Sequence, residues 1–269
     1  MDQPVGRLEG LLRRDRAIAL AALAALTLLA WAITVRTART MSSMGHMTSG
    51  MGQAIAMPGS AGWEPGDLLG LFTMWAVMMV AMMVPSVAPI VILVLGVLRR
   101  RHASGLPFGP TAAFLGGYVL VWAGFSLLAT LAQWGLHSVA LLSADAMRAT
   151  PAVGGLLLLA AGIFQWTPLK AACLSHCRSP FHFFSTEWRE GVRGALVMGL
   201  RHGSWCLGCC WLLMSLLFVA GVMNLAWVAA LAILVLLEKV APAGPALGRV
   251  FGVGLGVWGV WLMAGGRWG

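Results

Sequence analysis

Long apolar runs separated by short basic segments constrain the fold of this chain more than any other feature. Hydrophobic residues make up 59% of the sequence and charged residues only 10%, which lies outside the range of ordinary water-soluble domains. Each run is near or above the ~20 residues that an α-helix needs to cross a bilayer. The sequence therefore predicts an all-α fold, a polytopic transmembrane helical bundle of about seven spans. The predicted spans are roughly 17–35, 68–98, 111–135, 152–173, 195–222, 224–240 and 248–265.

Basic residues predict the orientation of these spans. The net charge of +9 comes mostly from short clusters in alternate segments between the apolar runs. Because cytoplasmic loops of membrane proteins are rich in Lys and Arg, we expect a multi-pass protein of the bacterial inner (cytoplasmic) membrane with its N-terminus in the cytoplasm. Membrane lipid is an expected partner, and nucleic acid is not. The first run shows no clear cleavage site, which predicts a retained helix.

Three segments follow from this organisation. The first is the N-terminal segment with the first transmembrane helix, 1–35. The second is an extracytoplasmic Met/His-rich loop, 36–67, and the third is a metal-binding transmembrane bundle, 68–269.

The loop contains the stretch "MSSMGHMTSGM", which lacks the periodicity of a buried helix face. Packing therefore does not readily explain its methionines. Thioether sulfur is a soft ligand, and together with imidazole it suits Cu(I). The predicted metal-capturing residues are Met41, Met44, His46, Met47 and Met51. The alternative is a flexible linker that happens to contain methionine.

The second predicted span also carries a methionine stripe. Met74, Met78 and Met82 recur every four residues, which places them along one side of a helix. These three residues are candidate metal ligands. Methionine is also a common gap-filler in apolar helices, so packing remains the alternative explanation of the stripe.

Five cysteines occur in two groups. Cys173 and Cys177 lie four residues apart with His176 between them, while His202, Cys206, Cys209 and Cys210 fall at i, i+4, i+7 and i+8. Each spacing places its thiols on one helical face. Ionisable groups inside a membrane span are costly and indicate function. All seven residues are candidate metal ligands; buried, inert thiols are the alternative.

The short connection between the fourth and fifth spans makes these spans antiparallel neighbours. Cys173, Cys177, Cys206 and Cys209 are therefore predicted to lie near one another in the cytoplasmic half of the bundle, with Cys210 or His202 as an extra ligand. This prediction requires the fifth helix to begin late or to be broken.

The segments "MWAVMMVAMMVPS", "QWTPLKAACLSHCRSP" and "GLRHGSWCLGCCWLLM" resemble the signature segments of the bacterial DUF2182 family. That family is described as predicted metal-binding integral membrane proteins and is sometimes labelled copper-chaperone-like. The resemblance covers roughly residues 70 to 240. It implies metal binding, and its label implies copper, but it implies no mechanism.

These patterns favour a soft-metal protein that acts in copper handling, delivery or translocation through Met, Cys and His ligands. Cu(I) is the expected ion, with zinc as the second choice, and a periplasmic or membrane copper protein is the expected partner. The sequence indicates no oligomeric state. An enzyme is not expected, because hydrolytic and nucleotide-binding motifs are absent from the sequence. Two alternatives remain: a thiol-disulfide redox protein using Cys206 and Cys209, and a scaffold or assembly subunit of a membrane complex.

Overall fold

The computed structural model describes residues 3–50, 65–101, 107–142, 148–179 and 188–266, with side chains of the first helix described from Glu9 to Met41. These ranges are helical and contain no β-strand, apart from an isolated bridge between Leu142 and Ala149. The predicted all-α bundle is confirmed. The helices are α1 (Gln3–Gly50), α2 (Pro65–Arg101), α3 (Phe108–Ser138), α4 (Pro151–Phe164), α5 (Pro168–Arg178), α6 (Gly191–Ser215), the one-turn α7 (Leu217–Ala220), α8 (Leu225–Val240) and α9 (Gly244–Met263).

Five segments among the described residues are single helices, or near-continuous ones, long and apolar enough to cross a membrane. They are Glu9–Met41, Pro65–Arg101, Phe108–Ser138, Gly191–Ala220 and Gly244–Met263. The helices α4 and α5 form one additional span if the bent pair is counted as one.

The segment 224–240, which the sequence predicts as a span of its own, is the helix α8 of only 16 residues, and it is not among these membrane-spanning segments.

The fourth predicted span, 152–173, is not one straight helix. It breaks after Phe164, and α5 turns away from α4 by 66°. Pro168 occupies the first turn of α5, where its missing N–H is not needed, and the Thr167 hydroxyl accepts a hydrogen bond from the Lys170 backbone N–H at 3.3 Å. A proline at the first position and a threonine at the N-cap both favour a new helix start.

The first helix is longer than predicted. Its backbone continues to Gly50, so the first part of the predicted loop 36–67 is helical rather than irregular. The Gly and Ser residues of this stretch disfavour a helix only weakly, and the preceding turns propagate through them. The side chains of Met44, His46 and Met47, and the whole of Met51, lie outside the described residues.

Glycines allow the closest helix contacts. The α3–α6 interface is the largest among the described helices. At its centre, a Cβ atom added to Gly199 would lie 2.8 Å from the Phe114 carbonyl carbon and would overlap the carbonyl oxygen. Gly117 fits against the α6 backbone in the same way. Small residues that let backbones approach closely are typical of helix packing in membranes.

Substitution Gly199→Ala is expected to force α3 and α6 apart and to lower the free energy of unfolding by about 1–3 kcal/mol, the usual cost of overpacking. Thermal unfolding in detergent measures the loss. Gly116→Ala is the matched control, because no atom lies within 4 Å of a Cβ atom at Gly116. Equal stability of the two variants would contradict the close packing described here.

Candidate metal-binding thiol cluster

All five cysteines are buried and none forms a disulfide. Three of them are on α6 and two are on α5, and the two helices pack against each other. We call these five residues the thiol cluster: Cys173, Cys177, Cys206, Cys209 and Cys210.

The three α6 cysteines share one helical face. The thiols of Cys209 and Cys210 both donate to the Cys206 carbonyl oxygen, at 3.1 and 3.0 Å. The Cys210 thiol also contacts the side chains of Cys206 and Cys209. The spacing of three and four residues therefore places the three sulfur atoms within about one turn of helix, as predicted.

The bend between α4 and α5 brings the second pair of cysteines onto this face. The Cys177 thiol lies close enough to the Cys209 side chain to interact with it, and Cys173 Sγ lies over Gly208, where an added Cβ atom would come within 2.8 Å of it. Gly208 thus leaves room for a sulfur atom. The expectation that the fifth helix begins late or is broken is wrong, because α6 is continuous from Gly191 to Ser215 and α5 bends toward its middle instead.

Two further polar side chains, Lys239 and Tyr118, contact Cys206, and Ser86 contacts both of them. Lys239 Nζ, from α8, donates to Cys206 Sγ at 2.9 Å and to Ser86 Oγ at 3.0 Å. The Tyr118 hydroxyl lies 3.0 Å from Cys206 Sγ and donates to the Met83 carbonyl oxygen at 3.2 Å. Cys206 is therefore the point at which α2, α3, α6 and α8 meet.

Sequence reasoning missed Lys239, Tyr118 and Ser86. A lysine at the end of an apolar run resembles an interfacial anchor, and neither a tyrosine nor a serine in a helix predicts a thiol contact. Two features of the sequence could have indicated these residues. One is the charge of Lys239 in an apolar run, and the other is that Tyr118 is the single tyrosine of the sequence.

A buried charge pair, Lys170 with Glu238, lies beside the cluster. Lys170 Nζ contacts both carboxylate oxygens of Glu238, at 2.8 and 2.7 Å, and also the Gln165 side-chain oxygen. Arg178 donates to the Glu238 backbone carbonyl. These contacts fasten α5 to α8, and they give both oxygens of the buried carboxylate a cationic partner.

The two candidate histidines occupy different places. His202 is buried, with its ring centroid 6.0 Å from that of Phe114 and 6.1 Å from that of Tyr118. His176 stacks on Trp205 at 4.1 Å, and its Nδ1 lies 2.9 Å from the Ala172 carbonyl oxygen. Its ring therefore packs on the indole rather than among the thiols.

The methionine stripe lies inside the bundle. Met74, Met78 and Met82 are all buried, and Met41 at the end of the first span is partly buried against the same core. Met74 also lines a cleft of about 460 Å³ together with Met223 and the threonines Thr34, Thr37 and Thr73. The stripe thus combines close packing with an opening at Met74.

The thiols interact in series, from Cys177 through Cys209 and Cys210 to Cys206, rather than around one point. Within the described ranges, no three His, Cys, Asp or Glu side chains are placed so that they hold a metal ion together. Cu(I) accepts few ligands and prefers thiolates, so the donor set suits a soft monovalent ion. A tetrahedral zinc site would need four converging ligands.

Cys177 and Cys209 are expected to form a disulfide under mild oxidation when the other three cysteines are replaced by serine, because their side chains are in contact. The control retains only Cys173 and Cys206, between which no contact is seen in the described part of the chain. Free thiols counted by maleimide labelling and mass spectrometry should disappear at least about tenfold faster in the first variant. Equal rates would contradict the arrangement of α5 on α6.

Lys170→Met is expected to lower the free energy of unfolding by about 3–5 kcal/mol, because it leaves the Glu238 carboxylate buried without its cation. The double variant Lys170→Met/Glu238→Gln should recover most of that loss, since neither charge remains. Thermal unfolding of both variants tests this. A double variant as unstable as the single one would show that the charge pair is not what matters.

Comparison with known proteins gives one family. No curated protein and no solved structure matches the chain. A family model described as PpoB2, copper chaperone, matches residues 72–262, which include every residue of the thiol cluster and most of the 269-residue sequence. The chain belongs to this copper chaperone family.

Proposed function

We propose that this protein is a multi-pass membrane protein that binds Cu(I) at the thiol cluster and hands it on, with copper as its cargo. The observation that carries the proposal is the packing of five free, buried cysteines on the facing sides of α5 and α6. Membership of a copper chaperone family supports copper as the cargo. Five apolar segments of membrane-spanning length support the membrane location.

The donor atoms favour Cu(I) over Zn(II). Thiolates and thioethers are soft ligands, whereas zinc sites also use carboxylates and close with four ligands. The carboxylate nearest the cluster, Glu238, is already bound by Lys170. A pair of thiols such as Cys177 and Cys209 is sufficient for Cu(I), and the remaining thiols provide positions for the next step of transfer.

The methionine stripe provides a route into the cluster. Met74 lies at the cleft, and Met78, Met82 and Met83 continue the series of buried thioethers along α2. The backbone carbonyl of the last of these, Met83, accepts a hydrogen bond from Tyr118, whose hydroxyl lies beside Cys206 Sγ. The turn of α2 that carries the last thioethers is therefore one side chain away from the first thiol. In this account Met41, Met44, His46, Met47 and Met51 capture the ion before it reaches the cleft.

We further propose that the chain lies in a bacterial inner membrane with its N-terminus in the cytoplasm, and that it delivers copper to a periplasmic or membrane copper protein. No covalent reaction is assigned to it. The metal ligands in this proposal are the five cysteines, with His202 as an additional donor beside them.

Thiol-disulfide exchange is the second candidate function. The proximity of the Cys177 and Cys209 side chains favours it, because a disulfide requires two thiols on neighbouring backbone segments that face each other. It would use an interhelical pair rather than the Cys206/Cys209 pair predicted from sequence. The methionine stripe has no role in thiol exchange, which is why copper handling is preferred.

Cys206→Ser/Cys209→Ser is expected to abolish tight Cu(I) binding by the protein purified under reducing conditions, because thiolate ligands supply most of the coordination energy. Replacement of Met41, Met44, His46, Met47 and Met51 by serine should reduce copper acquisition only at limiting supply, and should leave binding of excess copper intact. Elemental analysis across a copper titration measures both effects.

The control for this titration is Met263→Leu, which changes an exposed thioether on α9 and should behave as wild type. Redox function predicts a different pattern. The variant with serine at Met41, Met44, His46, Met47 and Met51 would then be silent at every copper concentration, and loss of Cys209 would remove disulfide-forming activity whatever the copper supply.

A further inference from the structure

We propose that Lys239 is the resident counter-ion of the thiol cluster, and that its charge selects a monovalent over a divalent metal ion. This inference rests on the proposed copper function and adds a specificity-determining residue to it. Lys239 would not bind the metal itself. It would act through the charge that it places 2.9 Å from Cys206 Sγ.

The ammonium group of Lys239 has a thiol and a hydroxyl as its hydrogen-bond partners among the described residues. The hydrogen-bond acceptors of Lys239 Nζ among the described residues are Ser86 Oγ and Cys206 Sγ, and neither is a carboxylate. The acidic groups that interact with it electrostatically include the Cys177, Cys206, Cys209 and Cys210 thiols and the Tyr118 hydroxyl. The preceding residue, Glu238, holds Lys170 with both oxygens. The two neighbouring charges of α8 therefore serve different partners.

The residues around Lys239 Nζ are buried, which strengthens the electrostatic effect of its charge. Cys206 and Tyr118 are 1% exposed and Ser86 is 7% exposed, whereas Lys239 as a whole is half-buried. Little water is therefore available to screen a net charge on the thiol side of the ammonium group. In such surroundings the interaction between two charges is several times stronger than at a protein surface. A metal complex at the cluster is stable only if its total charge, with that of Lys239, is close to zero.

The total charge of the complex then distinguishes Cu(I) from Zn(II). Two thiolates and one Cu(I) carry one net negative charge, and the Lys239 ammonium cancels it. Two thiolates and one Zn(II) are neutral on their own, so that Lys239 leaves an uncompensated positive charge. Because no three His, Cys, Asp or Glu side chains of the described residues are placed to hold one ion together, a third thiolate is not already in place to restore the balance for zinc.

The test is a competition between Cu(I) and Zn(II) for the purified full-length protein in detergent under reducing conditions, with bound metals measured by elemental analysis. Lys239→Met keeps the length of the side chain and removes its charge. We expect its ratio of bound copper to bound zinc to fall at least about tenfold, because an uncompensated charge in this environment is worth at least that much. Lys239→Arg retains the charge and should keep the higher ratio.

A second pair of variants leaves Lys239 in place. Ser86→Asp puts a carboxylate next to Nζ and neutralises it, so it should lower the copper-to-zinc ratio as Lys239→Met does. Ser86→Asn is the uncharged control of similar size and should not. This pair keeps the proposal testable if Lys239→Met does not fold.

The possible results separate this inference from the proposed function. A ratio that is unchanged in both Lys239→Met and Ser86→Asp, in protein that still binds copper through Cys206 and Cys209, overturns the role of Lys239 alone. Wild-type protein that binds no copper, or binds it equally well after Cys206→Ser/Cys209→Ser, overturns the proposed function instead.

Discussion

The close approach of α3 and α6 is the contact on which the rest of the site depends. Gly117 and Gly199 remove the side chains that would hold the two backbones apart, and the interface carries Tyr118 to within 3.0 Å of Cys206 Sγ. With α6 seated in this way, its cysteine face is turned toward α5 and α8. In a bundle whose surfaces are apolar on all sides, backbone fit of this kind decides which helices become neighbours.

The break in the helix before Pro168 is the second feature on which the thiol cluster depends. A straight fourth helix would carry Cys173 and Cys177 past the cysteine face of α6, whereas the bend lays α5 alongside it. The same bend places Lys170 against Glu238. A local capping feature, Thr167 with Pro168, therefore determines both the second half of the thiol cluster and the charge pair beside it.

The part of the chain that matches the copper chaperone family is the part that forms the thiol cluster. The copper chaperone match, 72–262, contains all five cysteines and the stripe from Met74 to Met82. The methionine-rich end of α1 precedes the match. The protein is thus organised as a family-defined thiol bundle joined to a first helix that extends past its apolar span.

The sequence by itself determined the all-α bundle, the apolar spans and the grouping of thiols on two helical faces, because hydrophobic run length and helical period are local properties of the chain. It did not determine the length of α1, the 66° bend between α4 and α5, or the position of His176 on Trp205. Those features depend on which neighbours each helix meets. Lys239 shows the difference most clearly: its charge can be read in the sequence, but its placement beside Cys206 was decided only by the packing of α8 on α2 and α6.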